Sequence, residues 1–227
     1  MIRYLQLALC AGLGLASMPL LAAPKWHCGE FSELDMRLEQ NATDGDSEVV
    51  LFAKGQDEGL RNLVVLAPNR REVIANILGN RNGVGLREFA LESAEPPDLG
   101  AVLASFPQGS YFFFGITMSG DCLTGTSSLS HAVAAATTLL MPAEDEIVPV
   151  DQLLLSWTPV AQAERYIVEL NNEDTGAESV FDVFPPTTSL AVPAQFLVPG
   201  SEYQFVVGVK AADGNATFVE TTFFTAP

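Results

Sequence analysis

The chain is poor in the side chains that do chemistry near neutral pH. Of its 227 residues, two are histidines (His27 and His131) and three are cysteines (Cys10, Cys28 and Cys122). A Ser-His-acid triad needs an imidazole beside a nucleophile held out on a special turn. No Gly-x-Ser-x-Gly elbow supplies one. The two histidines lie far apart and read as surface residues, and zinc has no cluster of Cys and His to bind. Positive charge is also scarce, with 11 Lys and Arg against 28 Asp and Glu, a formal net charge of −17. Such a surface repels nucleic acid and anionic lipid, which select Lys and Arg clusters. A phosphate-cradling loop is missing too. Gly79-Asn80-Arg81-Asn82-Gly83-Val84-Gly85 holds glycines but no lysine and no following helix, so it reads as a strand connection.

One apolar run stands out, at the start. Arg3 is the only charged residue before Lys25, Leu5 to Leu21 is apolar, and Ala22-Ala23-Pro24 follows. A cationic start, an apolar middle and small residues at the end describe a secretory signal peptide over residues 1–23, cleaved after Ala22 or Ala23. Gly12, Gly14 and Pro19 interrupt the run, which is short for a membrane span of about 20 residues. Cys10 follows Leu9 rather than a small residue, which argues against lipid attachment. The expectation is a secreted or periplasmic protein, with no membrane insertion once the signal is removed.

Cleavage leaves Cys28 and Cys122. In an oxidising compartment an isolated pair is most simply a disulfide, with two free thiols as the alternative. The acidic excess is uneven. Residues 24–141 carry 8 Lys and Arg against 15 Asp and Glu, and residues 142–227 carry 2 against 13. Solubility outside the cell accounts for this plainly; attraction to cations or to a basic partner is the sharper reading.

Turn signals recur about every ten residues, among them Asp44-Gly45, Lys54-Gly55, Asn82-Gly83, Gly120-Asp121, Pro199-Gly200 and Asp213-Gly214. Short runs of Val, Ile, Leu, Phe and Thr lie between them. That pattern predicts an all-β fold of sandwich or barrel type. Strands are expected near 31–40, 47–54, 61–67, 72–78, 86–92, 110–118 and 122–130. Leu34, Met36 and Leu38 alternate with charged residues, as on a strand with one wet face. A helical turn or two is expected within 95–105, where acids and prolines precede Leu99, Val102 and Leu103. Residues 131–146 read as a linker, small then acidic. The chain thus divides into a signal peptide, an N-terminal β-sandwich over 24–138 and a second over 139–227.

The second segment resembles a fibronectin type III domain. The resemblance rests on an ordered set: Pro142, then Leu153, Leu155 and Trp157, then Tyr166, Val168 and Leu170, then Thr188 to Val192. Pro199-Gly200-Ser201-Glu202-Tyr203 follows, then Phe205, Val207 and Val209, and Thr222 to Thr225. It implies a sandwich of about 85 residues with Trp157 and Tyr166 in the core. It also implies a tyrosine corner at Tyr203, whose phenol turns back to the backbone before it. Phe106-Pro107-Gln108-Gly109-Ser110-Tyr111 echoes the same words upstream, so Tyr111 is a second such candidate. Residues 41–46, 91–97 and 124–126 also look like segments of uncharacterised exported bacterial proteins that end in this module; the likeness implies architecture and no activity.

The remaining candidates are weaker. Acids are abundant enough for glycoside hydrolysis, but nothing selects two of them. Asp44, Asp46 and Glu48 alternate, as oxygen ligands for calcium can, yet Asp44-Gly45 is also an ordinary hairpin signal. Arg61, Arg70, Arg71, Arg81 and Arg87 either share a sheet face or are balanced by Glu72 and Glu88. Phe112, Phe113 and Phe114 are consecutive, so they must divide between the two faces of a strand. An inter-domain seam is the expectation, and an exposed contact patch the alternative. The functional expectation is a non-enzymatic extracytoplasmic module contacting protein or glycan, with no cofactor unless calcium. Its rivals are a polysaccharide-active enzyme or accessory domain and a calcium-dependent adhesive module.

Overall fold

A computed structural model describes residues 27–79, 82–95 and 98–227. The signal segment 1–23, with Cys10, and the residues Arg81, Pro96 and Pro97 lie outside the described residues. The N-terminal half supplies β1 (Gly29–Glu30), β2 (Glu33–Asn41), β3 (Ser47–Lys54), β4 (Leu60–Leu66), β5 (Val73–Leu78) and β6 (Glu88–Glu92). After these come helix α1 (Leu99–Ser105), β7 (Gly109–Thr117) and β8 (Cys122–Leu129). The C-terminal half supplies β9 (Leu139–Met141), β10 (Ile147–Val148), β11 (Leu154–Trp157), β12 (Arg165–Asn172) and β13 (Ala177–Val183). It ends with β14 (Ser189–Ala191), β15 (Glu202–Lys210) and β16 (Ala216–Thr225). Among the described residues the fold is all-β apart from α1 and one short 3-10 turn.

Alternation explains most strands. On β2, Met36 and Leu38 are buried between half-exposed Asp35, Arg37 and Glu39. On β12, Tyr166, Val168 and Leu170 are buried between Arg165, Ile167 and Glu169. Helix α1 starts where Asp98 accepts a hydrogen bond from the Gly100 amide at 2.9 Å, satisfying one of the free donors of the first turn. It contributes buried Val102 to the first core.

Two hydrophobic cores result. The first holds Met36, Leu38, Leu51, Leu60, Leu63, Val65, Tyr111, Phe113 and Leu123. It fills the space between a five-stranded sheet, in the order β1-β8-β7-β4-β5, and the strands β2, β3 and β6. The second holds Leu155, Trp157, Tyr166, Val168, Tyr203, Phe205, Val207 and Phe223. It lies between the three strands β14-β11-β9 and the four strands β13-β12-β15-β16.

The two units are not independent beads. β16 runs parallel to β2, with Ala216 beside Glu39, Thr217 beside Gln40 and Phe218 beside Asn41. One continuous sheet, β13-β12-β15-β16-β2-β3-β6, therefore crosses both. The connecting segment also differs from its expected featureless character. Leu139–Met141 pairs with β11, so sandwich structure begins before Pro142, and Ala134 and Thr137 are buried.

Cys28 and Cys122 are joined by a disulfide, with Cα atoms 4.7 Å apart. It pins the start of β1, whose Gly29 pairs with Leu123. The phenylalanine run does not form a seam between the units. Phe113 enters the first core, whereas Phe112 and Phe114 stand on the outer face of the five-stranded sheet. There they are flanked by Leu66 and Val64 on one side and Thr126 and Thr124 on the other. The reason is geometric: the join is made by β2 and β16 in the other sheet.

Candidate functional site

The place where chemistry-bearing groups gather is the junction itself. It is built on Asn215, the last residue of the Asp213-Gly214-Asn215 turn, which is 1% exposed. Its side-chain oxygen accepts the Leu38 amide at 2.8 Å. Its amide nitrogen donates to the carbonyls of Ser130 at 3.0 Å and Ala132 at 2.8 Å. One side chain thus ties β2, the connecting segment and the β15–β16 turn. The hydroxyl of Thr217, also buried, donates to the Ala134 carbonyl at 2.7 Å. Beyond the strand pairing, the Ala42 amide donates to the Phe218 carbonyl at 2.8 Å, and the Glu220 amide to the Thr43 hydroxyl at 3.0 Å.

Around this junction the sheet face carries an acidic depression. It is lined by Glu39 of β2, Glu48 of β3, Glu169 of β12 and Glu220 of β16. Asp44, Asp46 and Glu95 also line it, with Phe218. Strand alternation puts these carboxylates together. Glu39 pairs laterally with Glu48, so both point to the same side, and Glu169 pairs with Val206, which also lines the depression. The ring of Phe218 lies against Gly208, where any side chain would collide with it. Arg37 is committed to Glu39 at 2.5 Å and Asp35 at 2.7 Å, and Arg165 and Lys210 line an adjoining depression that shares Glu39.

Crowded like charges raise carboxylate pKa values, because ionising one costs work against the others. Burial, then Glu92, Glu39 and Glu95, push Glu48 up to about 7. One of its oxygens, Oε2, is enclosed and has no hydrogen-bond partner. Glu169 is raised by burial and by Glu178, Glu39 and Glu220. Asp46 is raised by lost hydration and by Asp44.

The calcium candidates sit on this rim. Asp44 spends one oxygen on the Asp46 amide at 3.3 Å, closing a local turn. Among the described residues, no group of three or more His, Cys, Asp or Glu side chains is placed to hold a metal ion. The histidines are apart from it: His27 is exposed, and His131 Nε2 lies 2.8 Å from the Phe106 carbonyl. The arginines do not form one array. Arg70 stacks over the Phe112 ring at 4.3 Å, and Arg87 pairs with Asp57 at 2.9 Å rather than with Glu88, which pairs with Lys54.

The tyrosines named from sequence are buried. Tyr203 OH accepts the Val198 amide at 2.8 Å, and its ring stacks on Phe223 with centroids 5.6 Å apart. Tyr111 OH donates to the Pro107 carbonyl at 2.9 Å; burial and Glu72 push its pKa up to about 12. Trp157 and Tyr166 meet edge to face at 5.4 Å, and Tyr166 OH accepts the Val160 amide at 2.9 Å. The second sandwich is fibronectin type III-like.

No protein-family model matches the chain, and neither does any curated protein. Solved structures do overlap it loosely. A two-domain fibronectin type III segment of chicken tenascin matches 85% of this chain and 97% of its own length, at 14% identity and a TM-score of 0.30. A structure from a 1.5-MDa bacterial ice-binding adhesin matches 86% of this chain, at 15% identity and a TM-score of 0.31; the chain spans 65% of that structure. A biofilm-associated protein domain matches at 11% identity and a TM-score of 0.29, and the chain spans 30% of it. Superpositions this loose carry no argument about function or about how the units sit together.

The junction was invisible in the sequence. Asn215 directly follows the Asp213-Gly214 turn signal and carries no further mark, and a parallel pairing of three residues leaves no periodic one. The available signals are the excess of acids and the alternation of Asp44, Asp46 and Glu48, which line the depression but mark no junction.

Proposed function

We propose that this chain is a non-enzymatic extracytoplasmic module, in which two sandwiches are locked into one stiff unit that holds or spaces a contact surface for protein or glycan. The observation that carries the reading is the sheet running through both cores, with Asn215 buried at its join. A flexible linker would leave the units free to reorient; three satisfied hydrogen bonds from a nearly inaccessible side chain, plus a β-pairing, oppose that. The disulfide and the signal-like N-terminus support a destination outside the cytoplasm. The non-catalytic reading is supported by the absence of a nucleophile elbow and by the separation of the two histidines.

The test is solution dynamics together with partner capture. Backbone relaxation should return one rotational correlation time for residues of both cores. Two independent correlation times would remove the stiff-unit reading. A glycan array and cross-linking capture from the native culture separate sugar from protein partners, and turnover of a polysaccharide would overturn the non-enzymatic part.

A further inference from the structure

The five-stranded sheet departs from the charge of the rest of the chain. Its strands β8, β7, β4 and β5 hold no Asp or Glu, in a protein with 28 of them. Among the described residues the one acid of this sheet is Glu30, on the short edge strand β1. The inner side of the sheet is the first core. On its outer side Phe112, Phe114 and Ile116 remain half-exposed beside Val64 and Leu66. Thr124, Thr126 and Ser128 run along the adjacent strand β8.

Two arginines bracket this stripe. At one end Arg70 lies over the Phe112 ring at 4.3 Å. At the other, Arg61 shares a shallow depression with Asn62, Leu78 and Ile116. Phe112 and Ile116 are four residues apart on β7, about 13 Å at the rise of an extended strand. Both arginines are exposed, and among the described residues neither has an ion pair. The acids nearest to them in sequence are turned elsewhere: Glu58 accepts from the Ser119 hydroxyl, and Glu72 lies close enough to Tyr111 to act on its phenol. Arg70 is also held in place. Its φ of 57° is in the left-handed region that bulky residues rarely enter. Its amide donates to the Ala67 carbonyl at 2.9 Å, and Asn69 Oδ1 accepts the Arg71 and Glu72 amides at 2.9 and 3.1 Å. A guanidinium seated on an aromatic ring keeps its N–H edge free, and that planar fork matches a carboxylate bidentately.

We propose that this face binds a linear polysaccharide bearing carboxylates, with Arg70 and Arg61 receiving the acids and the stripe between them receiving the sugar rings. The inference rests on the contact-surface reading above and names the chemistry of the partner. Pyranose rings present C–H faces, which pack on the electron-rich face of an aromatic ring. Their hydroxyls both donate and accept, as those of Thr124, Thr126 and Ser128 do. Net charge favours a narrow chain over a folded acidic protein. Exposed charges are screened beyond about 8 Å at physiological salt. A single extended chain on this face stays beside the arginines, while β2 and β3, which carry acids of the depression, belong to the opposite sheet, about 10 Å away. A globular acidic partner would also meet the carboxylates around the rim of a protein with a net charge of −17.

The probe is a linear tetramer of galacturonic acid, titrated calorimetrically into the mature full chain in low salt with EDTA, which excludes calcium bridging to the acidic surface. Binding should be measurable below millimolar, and the fully methyl-esterified tetramer, which loses only the charges, should bind about tenfold more weakly or worse. Arg70→Ala should weaken binding about tenfold and Arg61→Ala several-fold, each losing one charge-assisted contact, while Arg165→Ala, which takes the same charge from the second unit, changes nothing. Arg70→Lys, which keeps the charge without the planar fork, should fall between wild type and Arg70→Ala. A second measurement needs no variant: amide resonances of residues 110–117 and 62–66 should shift on titration, and those of 33–41 should not. Unchanged affinity in both alanine variants, equal binding of the methyl ester, or shifts confined to 33–41 would overturn the proposal. Tighter binding of a poly-glutamate peptide would overturn it too, by making the partner a polypeptide. Absence of binding fails this inference alone and leaves the stiff module standing, whereas shortening of the tetramer fails the non-enzymatic reading while the site stands.

Discussion

Replacing Asn215 with alanine is the sharpest test of the junction. Besides a 3.4 Å bond to Asp213 Oδ2 within its own turn, the side chain has three partners across the junction, and they do not count equally. The Leu38 amide belongs to a residue 1% exposed, so losing its acceptor strands a buried donor, at about 1–3 kcal/mol. The carbonyl of Ser130 is on a half-buried residue and that of Ala132 on an exposed one; water replaces the lost donor there at small cost. Together with the space left behind, the expected loss is about 3 kcal/mol, or roughly 6–12 °C in melting temperature for a chain of this size. Hydrogen exchange read by mass spectrometry localises it. Peptides covering 36–41 should lose protection, while those covering 165–172, in the middle of the second sandwich, keep theirs. Asn215→Asp should be no better than alanine, because its second oxygen would face two carbonyls in place of the donor. A loss below 0.5 kcal/mol with Leu38 protection unchanged would refute the assignment of Asn215 as the clamp.

Four further outcomes follow from geometry already described. Tyr203→Phe removes the acceptor of the Val198 amide, and urea denaturation should show a loss of about 1–2 kcal/mol with the same m-value. Tyr111→Phe, which takes a donor from the Pro107 carbonyl, should cost less than Tyr203→Phe, because a carbonyl has a second lone pair to offer water. Replacing both Cys28 and Cys122 with serine opens a loop between residues 94 apart, and should lower stability by roughly 4 kcal/mol on the chain-entropy account, seen as an earlier calorimetric transition. Gly208→Ala should dislodge the Phe218 ring from the sheet and cost about 1–3 kcal/mol, measurable by the same denaturation curve.

Much of the architecture was legible because alternation and turn chemistry are local. Met36 and Leu38 between charged neighbours fixed which face of β2 is dry, and Trp157, Tyr166 and Tyr203 marked the second core. What the pattern could not carry is what a wet face meets. Side-chain alternation along β2 is the same whether its hydrogen-bonding edge borders water or another strand, so the lateral pairing of Glu39 with Ala216 left no trace. The phenylalanine run failed for a related reason. Three consecutive large residues guarantee one buried side chain, here Phe113, but say nothing of which outer face a neighbour will cover.

The parallel pairing of β16 with β2 also has a consequence for how the protein is made. β2 emerges well before β16, so the N-terminal sandwich can close its own core long before its β2 edge acquires a partner. Until then an unpaired strand rim is open to any extended segment nearby, the circumstance in which immature β proteins stick to one another. The half-exposed Asp35, Arg37 and Glu39 on that strand serve as gatekeepers during the wait.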